Sequence, residues 1–187
     1  TDPELVSTLA ASAPATLSWL MSLGIKFDRT APALLLTISA PRIRPVGGGL
    51  ALIETLAAYA KREGVRFFYQ HTAISLVTDD DGAAKGVVTR AGDGRKVTVQ
   101  GHGVVLATGG FQGNPAMLAQ YLGRRAEYIR PVAKGGYYNK GEGIRMALEI
   151  GAAPAGDFGS WHAEPTDPRS QQANAVVYLY PYGVLVN

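Results

Sequence analysis

The chain has 187 residues, 47% of them hydrophobic, 18% charged and none cysteine, which suffices for one domain or slightly more with its own core. That balance excludes a disordered tail; the 23 glycines, lacking a Gly-X-Y period, exclude collagen; and the absence of cysteine excludes disulfides, cysteine zinc sites and thiol catalysis. No apolar run approaches the ~20 residues of a membrane helix, and the net charge of +3 comes from scattered basic residues, which suits an anionic small molecule better than nucleic acid.

Asp2, Pro3 and Glu4 form a helix start, with a capping carboxylate, a first-turn proline and an acid favoured by the dipole. Leu5, Leu9, Leu17, Leu20, Met21 and Leu23 then recur at helical spacing up to Gly24, and Pro14 is expected to break this stretch into two helices. Residues 25–27 and 34–38 read as short strands. Arg44, Pro45 and three glycines, Gly47 to Gly49, precede a helix over 50–62. Those glycines suit either phosphate at a helix N-terminus or a close-packed turn.

Strands follow over 65–69 and 73–78, then a turn through Asp79, Asp80, Asp81 and Gly82, which we read as solvated rather than as a calcium loop. Strands over 85–90 and 96–100 flank Gly92-Asp93-Gly94, a hairpin signal. Val104-Val105-Leu106-Ala107 is continuously apolar, as expected of a parallel strand covered on both faces. Asn114 and Pro115 open a helix over 114–121, and a second runs over 142–150 to Gly151. Beyond it Pro, Gly, Asp and Ser take over, so a boundary is placed near Ala155.

The order of elements is that of the middle of a nucleotide-binding α/β domain, with an antiparallel meander inserted before the last parallel strand. The chain opens without Met or a signal-like segment and closes inside the apolar run Val184-Leu185-Val186. We therefore expect an internal piece of a larger protein.

Two readings stand for Thr108-Gly109-Gly110 after the apolar run. Glycine lets the backbone approach a ligand at the carboxyl end of a strand; the same residues also suit a tight turn that binds nothing. His71 reads as structural, His102 as an exposed turn residue, and His162 as the histidine worth testing. Arg124, Arg125 and Arg130 read as a basic surface patch. The stretch from Lys134 to Tyr138 reads as a flexible cationic, aromatic loop, and Tyr178, Tyr180 and Tyr182 share one strand face.

Ala107-Thr108-Gly109-Gly110-Phe111, with Asn114, Met117 and Leu118 beyond, resembles the fumarate reductase/succinate dehydrogenase class of FAD-dependent oxidoreductases. Arg44-Pro45 with the glycines, His71-Thr72-Ala73, Gly141-Glu142-Gly143 and Ile150-Gly151-Ala152 resemble further motifs of that class in its order. Phe158, the stretch His162-Ala163-Glu164-Pro165 and the tyrosine-rich end most resemble its tricarballylate dehydrogenase branch.

The resemblance implies a partial, Rossmann-like FAD-binding domain over 1–155, its second half, and the start of a substrate-capping domain over 156–187. It implies FAD as cofactor, with Ala73 at the adenine end and Ala107, Thr108, Gly109 and Gly110 along the ribose and pyrophosphate. Glu142 replaces an Asp that contacts FAD. Glu164 stands where fumarate reductases carry a substrate-binding His, and His162 would supply a positive donor for a carboxylate substrate.

The class's GxGxxG fingerprint is expected before Thr1 and its catalytic Arg after Asn187, so the piece alone is expected neither to hold FAD tightly nor to turn over. Its partners would be a small carboxylate and the missing parts of its own chain, with a second copy over exposed edges. A cytoplasmic location is expected. A fumarate reductase-like or 3-ketosteroid dehydrogenase-like enzyme is the first alternative, and a non-catalytic binding or assembly module the second.

Overall fold

The computed structural model describes residues 2–28, 43–131 and 133–162. The chain divides into two compact units, Thr1–Phe68 and Tyr69–Asn187.

In the first unit, α1 (Pro3–Ser22) starts as its sequence dictates. The Asp2 carboxylate accepts from the Glu4 amide at 2.9 Å and Pro3 occupies the first turn. The helix then runs through Pro14 without breaking. A proline removes one amide donor and leaves a carbonyl one turn earlier unpaired. Here that region is solvent-exposed, so water satisfies the orphan, and the Ser18 hydroxyl donates to the Pro14 carbonyl at 3.0 Å. The helix ends at Leu23 and a left-handed Gly24.

Two short strands, β1 (Phe27–Asp28) and β2 (Arg44–Pro45), pair antiparallel. The expected strand over 34–38 lies outside the described residues. Gly47, with φ +83°, turns the chain into α2 (Gly48–Arg62), and a Cβ at Gly47 would stand 2.8 Å from that of Ala51. A close-packed turn therefore accounts for this glycine. The strand expected over 65–69 does not form among the described residues. Instead Lys61 and Arg66 place their charged heads 5.5 and 5.6 Å from the rings of Phe67 and Phe68.

In the second unit, β3 (His71–Thr78), β4 (Ala84–Ala91) and β5 (Lys96–Gln100) form an antiparallel meander in the order of the chain. The β3–β4 turn is organised by Asp79, whose carboxylate accepts from the Ala83 amide at 2.8 Å and lies 3.7 Å from Lys85. The β4–β5 turn falls at Gly92-Asp93-Gly94, where Asp93 pairs with the Arg95 guanidinium at 2.6 Å. That contact, foremost, holds the Asp93 carboxyl below its ordinary range. On β4 the buried Thr89 hydroxyl donates to the Val97 carbonyl at 3.1 Å.

The strand expected over 104–107 is absent, and Val105 is 91% exposed. A parallel strand draws its hydrogen bonds and cover from neighbouring strands. In the second unit the described residues offer only the antiparallel meander, and the 104–107 run pairs with none of its strands.

Beyond it, α3 (Pro115–Leu122) and α4 (Glu142–Glu149) contribute Leu118 and Met146 to the core. Phe111, Tyr121 and Phe158 cluster, with ring centroids 5.0 to 6.2 Å apart. Residues Lys134–Tyr138 form a 3₁₀ turn rather than a loose loop. Its carbonyls at Gly136 and Tyr137 approach so closely that a Cβ on Gly113 would meet them at 2.7 and 2.5 Å.

Candidate functional site

Of the residues singled out for cofactor binding, Thr108, Gly109, Gly110 and Glu142 gather around one helix end. Gly141 caps α4 in the left-handed conformation, φ +81°, and a Cβ there would overlap the Met117 sulfur. Its amide donates to the Gly110 carbonyl at 3.2 Å, and the Gly113 amide donates to the Asn139 carbonyl at 2.8 Å. Asn114 completes the link. Its Oδ1 accepts from the Ala116 and Met117 amides, capping α3, while its Nδ2 donates to the Lys140 carbonyl at 2.8 Å. The segments 108–114 and 139–143 are thereby knitted together.

Thr108 presses against α4 at Gly143, where a Cβ would overlap its Oγ1. Ala107, Thr108 and Gly109 are exposed and Gly110 is half-buried. Gly109 has φ +72°, and Cβ atoms on Gly109 and Gly110 would each stand 2.9 Å from the side chains of Asn139 and Gln112. The left-handed backbone accounts for Gly109, whereas at Gly110 only the flexible end of Gln112 stands in the way, and the backbone of 107–109 is exposed.

Glu142 is half-buried, and its carboxylate accepts from the Lys140 amide at 3.2 Å. Strand β3, which carries the half-buried Ala73, packs on α4. The Arg145 guanidinium reaches from α4 to the Ile74 carbonyl at 3.1 Å and pairs with Glu149 one turn on. A groove of about 400 Å³ runs between α3 and α4, lined by Met117, Tyr121, Lys140, Glu142, Ile144 and Leu148 among others.

Of the two residues assigned to substrate, His162 is exposed and Glu164 lies outside the described residues. Phe158, quoted for the resemblance, serves the aromatic cluster. Asn139 and Arg145 were not singled out from the sequence. Arg145 gave no signal there because its partner is 71 residues away.

The residues fit a dinucleotide at its nucleotide end: small side chains, exposed backbone polar groups and one carboxylate held at a helix start. Comparison with known proteins gives the family. The profile of the family described as FAD binding domain matches residues 1–180, and the chain belongs to that family, whose cofactor is FAD.

More particularly, it is 31% identical over 168 residues to the probable fumarate reductase Ifc3 of Shewanella frigidimarina, covering 88% of this chain and 28% of that one. Among solved structures it resembles the open conformation of a flavocytochrome c3 fumarate reductase, with TM-score 0.66 and 30% identity over 81% of this chain and 27% of the other. It also resembles the 3-ketosteroid-Δ4-(5α)-dehydrogenase of Rhodococcus jostii RHA1 in complex with 4-androstene-3,17-dione, with TM-score 0.68 and 28% identity over 81% and 38% of the two chains. The chain spans between 27% and 38% of the length of these three relatives. No helix among the described residues is long and apolar enough to cross a membrane.

Proposed function

We propose that this chain is the nucleotide-holding part of a larger FAD-dependent dehydrogenase that desaturates a small carboxylic acid, tricarballylate to cis-aconitate being the favoured reaction. The observation that carries the proposal is the gathering of Thr108, Gly109, Gly110 and Glu142 at the N-terminal end of α4, a helix that also packs on β3, the strand of Ala73. FAD, when bound, supplies the hydride-accepting chemistry.

The chain's own share is binding and orientation. Backbone groups of Ala73 would meet the adenine end, and those of Ala107 to Gly110 the ribose and pyrophosphate. Glu142, steadied by the Lys140 amide, would accept a hydrogen bond from the nucleotide. Residues 1–155 would be the second half of the FAD domain and 156–187 the start of the domain that caps the flavin. There His162 would offer a donor to a substrate carboxylate, with Glu164 modulating its charge. A homodimer belongs to the proposal, supported by α1, which buries none of its residues.

The test begins with flavin content. The full-length protein carrying this chain is expected to purify yellow, with FAD near one per chain, whereas the 187 residues alone are expected to be colourless. With an artificial electron acceptor, tricarballylate should be oxidised. A colourless full-length protein refutes the proposal. The resemblance to the fumarate reductase and ketosteroid dehydrogenase structures supports a second reading, and turnover of fumarate or a 3-ketosteroid instead of tricarballylate would select it. Sedimentation showing only monomer at high concentration would remove the homodimer.

A further inference from the structure

The pairing of β3 with β4 slips by one residue beside Ala73. Ala73 faces Thr89 and Ser75 faces Val88, so two steps on β3 match one on β4 and Ile74 is the extra residue. Such a bulge leaves its extra residue outside the ladder and re-aims the backbone on either side. The Ile74 carbonyl is nevertheless paired, because the Arg145 guanidinium donates to it at 3.1 Å from α4. The same guanidinium pairs with Glu149 on its own helix, which keeps it extended toward β3. Both ion-pair partners are about half exposed, 50% and 48%, so the pair itself adds little stability. Its consequence is geometric.

We propose that Arg145 is a positioning residue: by closing the β3 bulge it sets the direction of the Ala73 backbone relative to the N-terminal end of α4, where Glu142 and Thr108 stand. One helix thus aligns the two ends of the nucleotide site. Gly143 holds it against Thr108 on one side, and Arg145 holds it against Ile74 on the other. The inference rests on the FAD reading proposed above.

The experiment uses the full-length protein, stripped of flavin and titrated with FAD, alongside hydrogen exchange over residues 73–76. Arg145→Met is expected to weaken FAD binding about tenfold, the order for losing one hydrogen bond from a charged donor, and to speed exchange at the bulge. Arg145→Lys keeps one donor for the Ile74 carbonyl and is expected to recover part of both effects. It also serves if the methionine variant does not fold. Lys85→Met breaks the exposed pair with Asp79 on the same sheet and should leave FAD affinity unchanged. Arg145→Met with wild-type affinity, or Lys85→Met with an equal loss, overturns the inference. Wild-type protein that takes up no FAD overturns the functional reading and this inference with it, whereas normal uptake by both wild type and Arg145→Met overturns this inference alone.

Discussion

Substituting Gly143 by alanine sets two opposing effects against each other. Alanine in a helix is favoured over glycine by about 1 kcal/mol, through the smaller entropy it loses on folding. Against that, the new Cβ would overlap the Thr108 Oγ1 and stand 3.3 Å from its Cβ and Cγ2, inside the optimal carbon–carbon separation of about 3.5–4.0 Å. Overpacking of this kind costs about 1–3 kcal/mol. Thr108 cannot retreat freely, since the following Gly109 is left-handed and pressed on Asn139. The net expectation is destabilisation by about 0–2 kcal/mol, with a displaced 107–109 segment and weaker FAD binding.

Chemical denaturation of a double-mutant cycle separates the two effects. In a Thr108→Ala background both γ atoms are gone, so Gly143→Ala should there be neutral or stabilising by up to about 1 kcal/mol. The coupling between the two positions should therefore be about 1–3 kcal/mol, the overpacking cost that leaves with the γ atoms. An alanine at 143 that has the same effect in both backgrounds would refute the close packing of α4 on Thr108 and with it the geometry of the site.

Other outcomes follow from the same contacts. Asn114→Ala removes both the α3 cap and the donor to Lys140, and should cost about 2 kcal/mol, a cap and a hydrogen bond at about 1 each. Asn114→Asp keeps the cap and should lose about half as much, so equal losses by denaturation would contradict the bridging role. Pro14→Ala should stabilise the exposed α1 by up to about 3 kcal/mol, visible as a higher denaturation midpoint; an unchanged midpoint would show that α1 gains nothing from the restored amide. Asp93 is held below its ordinary range chiefly by Arg95, so its contribution to the hairpin is present above the ordinary carboxylate range and is lost as pH falls through the lowered value. In Arg95→Met the Asp93 carboxyl, followed by NMR titration, should move back toward its ordinary range, and no movement would reject that pair as the cause.

What could be read without coordinates was local. The capping of α1 by Asp2 and of α3 by Asn114, the hairpin at Gly92-Asp93-Gly94 and the start of α4 after Gly141 each depend on side chains a few residues apart, or on the dihedral freedom of a single glycine. The motifs quoted for the FAD class also lie along one stretch of chain, so their order was visible. Where local rules misled, an environment outranked a propensity. Pro14 stays inside a helix because solvent satisfies the carbonyl it orphans. The apolar run at 104–107 forms no strand because strand formation requires partners, which hydrophobicity does not supply.

The amino-acid order by itself determined the helix ends and the meander, since these follow from short-range hydrogen bonding, side-chain alternation and glycine placement, and its motifs, taken in order, carried the resemblance to a flavin-binding family. Only the tertiary structure decided that Asn114 ties two distant segments, that Thr108 and Gly143 touch, and that Arg145 fills the hydrogen bond left open at a bulge 71 residues earlier. Contacts across such separations depend on how helices and strands pack in three dimensions, and the identity of either partner alone does not reveal them.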